Sequence, residues 1–207
     1  MGQDIRIKTT KIFNAYLTLG LLEIAKEELD DGILSQIKIQ EKINIEEIKD
    51  RGYIGRYLKD VKKWLKDADL HDQQIKTLIK NTSRGFQLNE DIPPNAYKDF
   101  LGAFLFLNLI EDDEHINNLE NLFSDDNNRE KPLSLVTKLT LLKKNKKSCR
   151  LSYLQDNDEE EISFEPKKFK YQNNIWYIEG KNNNTRQTEK LELSRIAKIK
   201  DFELIDG

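Results

Sequence analysis

The sequence has little of what most catalytic sites are built from. A single cysteine, Cys149, excludes an intrachain disulfide and any cysteine-based zinc site. The two histidines, His71 and His115, stand in no metal-ligand or triad spacing, and the "EDDE" before His115 reads as a solvated acidic helix start. The nine glycines form no phosphate-binding loop. Carboxylates abound, yet they occupy charged turns such as "DNDEEE", with no apolar surroundings to raise a pKa. No catalytic residue, metal site or cofactor is therefore nominated, and the chain is read as a non-enzyme. Long apolar runs are also missing. The longest, "FLGAFLFLNLI" from Phe100 to Ile110, falls far short of the roughly 20 residues a membrane-spanning helix needs. Met1 to Thr10 is charged and lacks the apolar centre of a signal peptide, so a cytoplasmic protein without membrane contact is expected.

What the chain does have is charge. Of its 207 residues 34% are charged and 37% hydrophobic, enough apolar material for one large domain or two small ones. The net charge of −3 is unevenly spread. From Lys49 to Arg84 there are 10 basic residues against 5 acidic ones, whereas acids dominate elsewhere. A basic island in an acidic protein suits a face aimed at a polyanion; a solvated lysine-rich helix face is the plainer reading of such a run.

Three regions separate: residues 1–92, 93–147 and 148–207. The first opens with "TTKIFNAYLTLGLLEIAKEEL", apolar at Ile12, Ala15, Tyr16, Leu19, Leu22 and Ala25, which is helical spacing. A short β-like piece, "SQIKI", is expected next. A short helix over about Ile45 to Asp50, a turn at Arg51–Gly52, and a second helix with Tyr57, Val61 and Trp64 or Leu65 on one face outline a helix-turn-helix. "QQIKTLIKNTSRGFQLNE" then alternates around turn chemistry and predicts a β-hairpin. A hairpin directly after the second helix is the wing of a winged helix.

"DIPPN" marks a boundary. Beyond it, "AYKDFLGAFLFLNLI" and "PLSLVTKLTLLKKNKK" predict a helical connector, whose apolar faces serve either a dimer or their own chain. From Ser148 the strands "CRLSYLQ", "EEISFEP", "KFKYQ", "IWYIEGK" and "KLELSRIAKIKDFEL" predict a small SH3-like or Sm-like β-barrel. The fold class is α+β: winged helix-turn-helix, helical connector, small barrel.

Trp176-Tyr177-Ile178, with isoleucine in the third place, resembles the namesake tripeptide of the bacterial winged-helix regulators that carry a WYL domain. "CRLSYLQ", with Tyr153 in its aromatic position, is similar to that domain's first strand. "FEPKKF" with Pro166 is similar to its "P-x-x-L/F", and "LELSRIAKI" to its closing "F-R-L-D-R-I", where Arg195–Ile196 keeps the final pair. "EEIKDRGYIGRYLKDVKKWL" resembles the family's "EELAERLGVSRRTVRRDIKAL" region. Two departures stand out. Ile162 occupies a position that is usually arginine, and Glu192 with nearby Lys190 stands where the closing segment normally carries further arginines. The resemblance implies a transcriptional regulator whose barrel, WYL-like, senses nucleic acid or a nucleotide-like messenger.

Residue types give each module its chemistry. In the first, Arg56 and Tyr53 are assigned to base edges in the major groove, and Lys59, Lys62 and Lys63 to phosphates. Arg51 lies at the helix start, while Lys76, Lys80 and Arg84 let the wing touch the DNA backbone or minor groove. One module reads too few bases for a genome, so a homodimer on a palindromic operator in double-stranded DNA is expected. In the barrel, Tyr153 and Tyr177 suit base stacking, and Lys167, Arg186, Lys190 and Arg195 suit phosphates. Trp176 is assigned either to that ligand surface or to the barrel core. Repression is preferred to activation, since occluding a promoter needs no further contacts. The rival reading is a non-catalytic accessory protein that grips single-stranded nucleic acid or an effector protein, for example in phage defence.

Overall fold

The computed structural model describes residues 2–43, 53–67, 77–109, 122, 129–155 and 158–204. The chain is of mixed α+β class and divides into two compact units, Met1–Phe100 with Leu204–Gly207, and Leu101–Glu203.

The first unit contains α1 (Gly2–Glu28), β1 (Ile33–Leu34), α2 (Gln36–Ile43), α3 (Tyr53–Asp67), β2 (Ile79–Asn81) and β3 (Phe86–Leu88). α4 (Pro94–Leu109) begins here and continues into the second unit. The expected apolar stripe of α1 is buried from Ala15 to Ala25, while its first member, Ile12, is exposed; Leu17, Leu21 and Ile24 between its members are buried too, so residues 14–25 are enclosed on every side. Two polar groups inside this core are satisfied. Tyr97 Oη donates to the Glu23 carboxylate at 3.0 Å, and Asn14 Nδ2 donates to Tyr57 Oη at 3.3 Å. Trp64, not separable from Leu65 in the sequence, stacks on Tyr16 with ring centroids 5.2 Å apart.

One expected strand is a helix. "SQIKI" belongs to α2, where Ser35 Oγ accepts from Lys38 N at 3.2 Å and caps the first turn. In a strand Ile37 and Ile39 would share a face. In the helix Ile39 joins Ile43 in the core, and Ile37 is left 66% exposed. The strand is the two residues before Ser35. The helix expected over Ile45–Asp50 and the turn at Arg51–Gly52 lie outside the described residues.

The hairpin forms as β2 and β3, with β1 added to give an antiparallel sheet of order β1-β3-β2. Its turn is tied by Thr82, whose hydroxyl accepts from Gly85 N at 3.1 Å and donates to Gly85 O at 3.0 Å. Gly85 (φ 154°) is required here. A Cβ on it would lie 2.3 Å from Leu34 O.

The second unit carries α5 (Pro132–Asn145), β4 (Cys149–Gln155), β5 (Asp158–Gln172), β6 (Ile175–Asn182), β7 (Thr188–Glu192), a 3-10 helix (Leu193–Arg195) and β8 (Ile196–Ile199). These strands form one antiparallel sheet of order β7-β6-β5-β4-β8. Two expected strands, "EEISFEP" and "KFKYQ", are the single long β5. Pro166 is accommodated because a bulge at Lys167 relieves the ladder there. The extra residue also switches the inward face: Ile162, Phe164 and Pro166 are buried before it, Phe169 and Tyr171 after it. Opposite Pro166 stands Gly180, where a Cβ would come within 2.3 Å of Glu165 O and 2.6 Å of the Phe164 ring. The last expected strand is broken by the 3-10 helix into β7 and β8.

The sheet does not close. The outer edge of β8 meets residues 129–130: Glu130 N donates to Ala197 O at 2.9 Å, and Ile199 N to the Glu130 carboxylate at 3.1 Å. The same carboxylate pairs with Lys138 of α5, both side chains being almost fully buried. Residues 133–142 of α5 are buried in turn.

Candidate nucleic-acid interface

α3 divides cleanly by face. Ile54, Tyr57, Leu58 and Val61 are buried, while Gly55, Arg56, Lys59, Asp60 and Lys63 are exposed and Lys62 is half-buried. Steps of four and three residues line up two outward stripes, Gly55-Lys59-Lys62 and Arg56-Asp60-Lys63. Between the first stripe and the hairpin runs a cleft of about 290 Å³. Gly55, Leu58, Lys59 and Lys62 form one wall; Ile79, Asn81 and Phe86 form the other. Among the described residues, Lys59, Lys62 and Lys63 have no ion-pair or hydrogen-bond partner. Such ammonium groups beside an apolar floor are disposed to take up an anion.

The hairpin cations are engaged, though only at the surface. Lys80 Nζ donates to Asn89 Oδ1 at 2.9 Å, and Arg84 pairs with Asp31 at 2.9 Å with both side chains largely exposed. Exposed pairs of this kind contribute about 0–1 kcal/mol and exchange readily for a better anion. Tyr53 opens α3; Arg51 and Lys76 lie outside the described residues.

The sheet of the second unit gathers part of the expected ligand surface. β6 alternates, with Trp176, Ile178 and Gly180 buried and Tyr177 half-exposed on the other face. Trp176 packs on Tyr171 with centroids 4.9 Å apart, and its buried Nε1 has no hydrogen-bond partner among the described residues. Lys190 Nζ lies 5.1 Å from the Tyr177 ring centroid and donates to Gln172 Oε1 at 2.6 Å. Tyr177 and Glu192 are cross-strand partners, and Glu192 N donates to Tyr153 Oη at 3.3 Å. Burial, more than any charge, raises the pKa of Tyr153; the nearby Arg195 opposes it. Arg195 pairs with the Glu192 carboxylate at 3.3 Å, which also accepts from Ser194 Oγ.

Tyr153, Tyr177, Lys190 and Arg195 thus meet around Glu192. Lys167 is exposed at the β5 bulge, and Arg186 is exposed in the β6–β7 turn at φ 61°. Sequence reasoning named none of the uncharged cleft residues, Gly55, Leu58, Ile79, Asn81 and Phe86, as site residues. The i, i+4, i+7 relation of Gly55 to Lys59 and Lys62 was a usable signal for the first. Nothing in sequence order joins Phe86 to α3.

Nucleophile chemistry is disfavoured at Cys149. Burial first, then Asp201 and Glu130, push its thiol up to about 12, which leaves little thiolate near neutral pH. Among the described residues no group of three or more His, Cys, Asp or Glu could hold a metal ion. Nor is any helix among them long and apolar enough to cross a membrane.

No family model matches the chain, and no curated protein aligns with it. Among solved structures it is similar to proteasome accessory factor B/C of Arthrobacter aurescens, at 16% identity and a TM-score of 0.30. That alignment covers 95% of this chain and 33% of the other, so the chain spans about a third of that protein's length.

Proposed function

We propose that the chain is a DNA-binding transcriptional regulator, with a winged helix-turn-helix in its first unit and a WYL-like sensor domain in its second. One observation carries the reading: the outward face of α3 presents Lys59, Lys62 and Lys63, without acidic partners among the described residues, and sets Lys59 and Lys62 beside the β2–β3 hairpin. The order α1-β1-α2-α3-β2-β3, with the sheet threaded β1-β3-β2, is the order a winged helix requires and supports the same reading. α3 enters the major groove. Arg56 and Tyr53 reach base edges, with Arg51 before them. Lys59, Lys62 and Lys63 take phosphates, and Lys76, Lys80 and Arg84 bring the hairpin onto the backbone. Phosphate contacts supply affinity and salt dependence; the base contacts supply sequence choice.

A homodimer on an inverted repeat gives the site length that one module lacks. The strand order of the open five-stranded sheet, with its 3-10 helix between the last two strands, supports an SH3-like reading of this unit, in which Tyr153, Tyr177, Lys190 and Arg195 form the sensor surface for a nucleic acid or nucleotide. A ligand there changes operator affinity by binding one dimer geometry better than another. The protein acts in the cytoplasm, as a repressor that occludes its promoter.

The test is recovery of sheared genomic DNA on tagged protein at about 0.15 M salt, a level at which non-specific phosphate contacts are weakened. Enrichment of a few intergenic fragments sharing an inverted repeat is the expected result. Uniform recovery, or none, removes the regulator reading.

A second reading has its own support. Tyr153 and Tyr177 beside Lys190 form a stacking surface suited to single strands, which is what an accessory protein gripping single-stranded nucleic acid would use. Loss of nucleic-acid binding on Tyr177→Ala or Arg195→Ala, but not on Arg56→Ala or Lys62→Ala, selects that reading.

A further inference from the structure

Glycine inside a helix is costly, because it gives up the most backbone freedom and packs nothing. Gly55 is exposed near the start of α3, and a Cβ built on it meets nothing within 4 Å among the described residues. Neither packing nor backbone conformation excludes a larger residue there. Gly180 and Gly85, by contrast, are each forced by an atom 2.3 Å from the Cβ they lack. The bare position therefore calls for a reason outside the chain.

Its surroundings supply one. Gly55 heads the stripe that continues through Lys59 and Lys62 and borders the cleft against Ile79, Asn81 and Phe86. Two ammonium groups at the rim match a phosphodiester in charge. An apolar floor of Leu58, Ile79 and Phe86 matches a deoxyribose, and the Asn81 amide adds a hydrogen-bonding group at the wall. A strand laid along this stripe meets the surface of α3 at Gly55, where any side chain would hold it off.

We infer that the cleft between α3 and the hairpin seats one phosphodiester-linked segment of the bound DNA, and that Gly55 is the position whose missing side chain lets that strand approach Lys59 and Lys62. This deepens the duplex-binding reading and rests on it. Gly55 acts as a positioning residue through space it leaves open.

The test compares wild type, Gly55→Ala and Gly55→Leu by fluorescence anisotropy on a labelled duplex of about 30 base pairs, over a range of salt, together with thermal unfolding of each protein. Each phosphate contact contributes about 0.9 to the slope of log K against log salt, so losing one costs roughly tenfold in affinity near 0.1 M salt. Gly55→Leu is expected to lose about tenfold, with a slope shallower by about one contact although no charge has changed. Gly55→Ala is expected to bind more weakly than wild type while its Tm rises by about 2–4 °C, because alanine is the better helix former. Affinity and stability moving in opposite directions is a result that a purely structural role for Gly55 does not give. Wild type that fails to bind duplex overturns the regulator reading and this inference with it. Wild type that binds while both variants match it in affinity and slope overturns this inference alone.

Discussion

The two units each present cations on a surface, and they treat them differently. On α3, Lys59, Lys62 and Lys63 have no partner among the described residues. On the sheet of the second unit, Lys190 is held by Gln172 and the Tyr177 ring, and Arg195 by Glu192. An unpartnered ammonium group gives up only water when a phosphate arrives. A paired one must also release its partner, so its net gain is smaller. The contrast teaches that an anion meets three unpartnered lysines on α3, whereas at Arg195 it has first to displace Glu192; Lys167 and Arg186 of the second unit are simply exposed.

The largest expected effects come from the two glycines that hold these surfaces in shape. A Cβ at Gly85 collides with Leu34 O, and one at Gly180 with Glu165 O. Each alanine variant is expected to cost about 3 kcal/mol, the scale of overpacking a closed site. The two should fail in different places. Gly180→Ala shifts the unfolding of the second unit and leaves duplex affinity intact, whereas Gly85→Ala displaces the hairpin and takes duplex affinity with it. Thermal unfolding read beside duplex titration separates them, and equal loss of affinity in both variants breaks the comparison.

Removing one carboxylate from each face sharpens it further. Asp60 stands between Arg56 and Lys63 on the outer stripe of α3, so Asp60→Asn should raise duplex affinity by about two- to threefold, the effect of removing one screened repulsion. Glu192→Gln frees Arg195 and should raise the affinity of the second unit for a short oligothymidylate by a similar factor. Titration of each variant with each probe makes a square. The account requires the two gains to lie on its diagonal.

The smallest effect is that of pH. The side-chain hydrogen bond from Lys200 is the main cause that lowers the pKa of Glu161, and the bidentate hydrogen bond from Arg150 does the same for Asp201. A lowered folded-state pKa means stability that is present above the ordinary values of 4.5 and 3.8 and is lost as pH falls through the folded ones. Both groups are exposed, so the loss is small. Acid unfolding of Arg150→Ala should show a weaker dependence below about pH 4.5 than wild type, and an unchanged profile would deny the network any role.

How much of this was legible in the sequence depended on whether the signal was local. That Trp176 and Ile178 share one face of β6 and Tyr177 the other followed from strand alternation, but alternation alone did not say which face is inward. The hairpin followed from the turn residues around Gly85, and the outward lysines of α3 from helical spacing. Local ambiguity produced the error at "SQIKI", where five residues fit both periods and the cap at Ser35 decided for a helix. The two strands expected on either side of Pro166 are one, because a register shift between Pro166 and Lys168 takes the proline into a continuous β5. The Glu130 strap on β8 and the Phe86 wall of the cleft were out of reach. Both are set by which distant segments meet.

The most direct test of the central claim is the salt dependence of duplex binding, measured for wild type, for Lys59→Ala/Lys62→Ala/Lys63→Ala and for Tyr177→Ala/Arg195→Ala. The account predicts that the lysine variant loses about 2–3 from the slope of log K against log salt, one contact per lysine, while the tyrosine–arginine variant keeps the wild-type slope. A full slope in the lysine variant, with the loss appearing in the tyrosine–arginine variant instead, would contradict it and move nucleic-acid binding to the second unit.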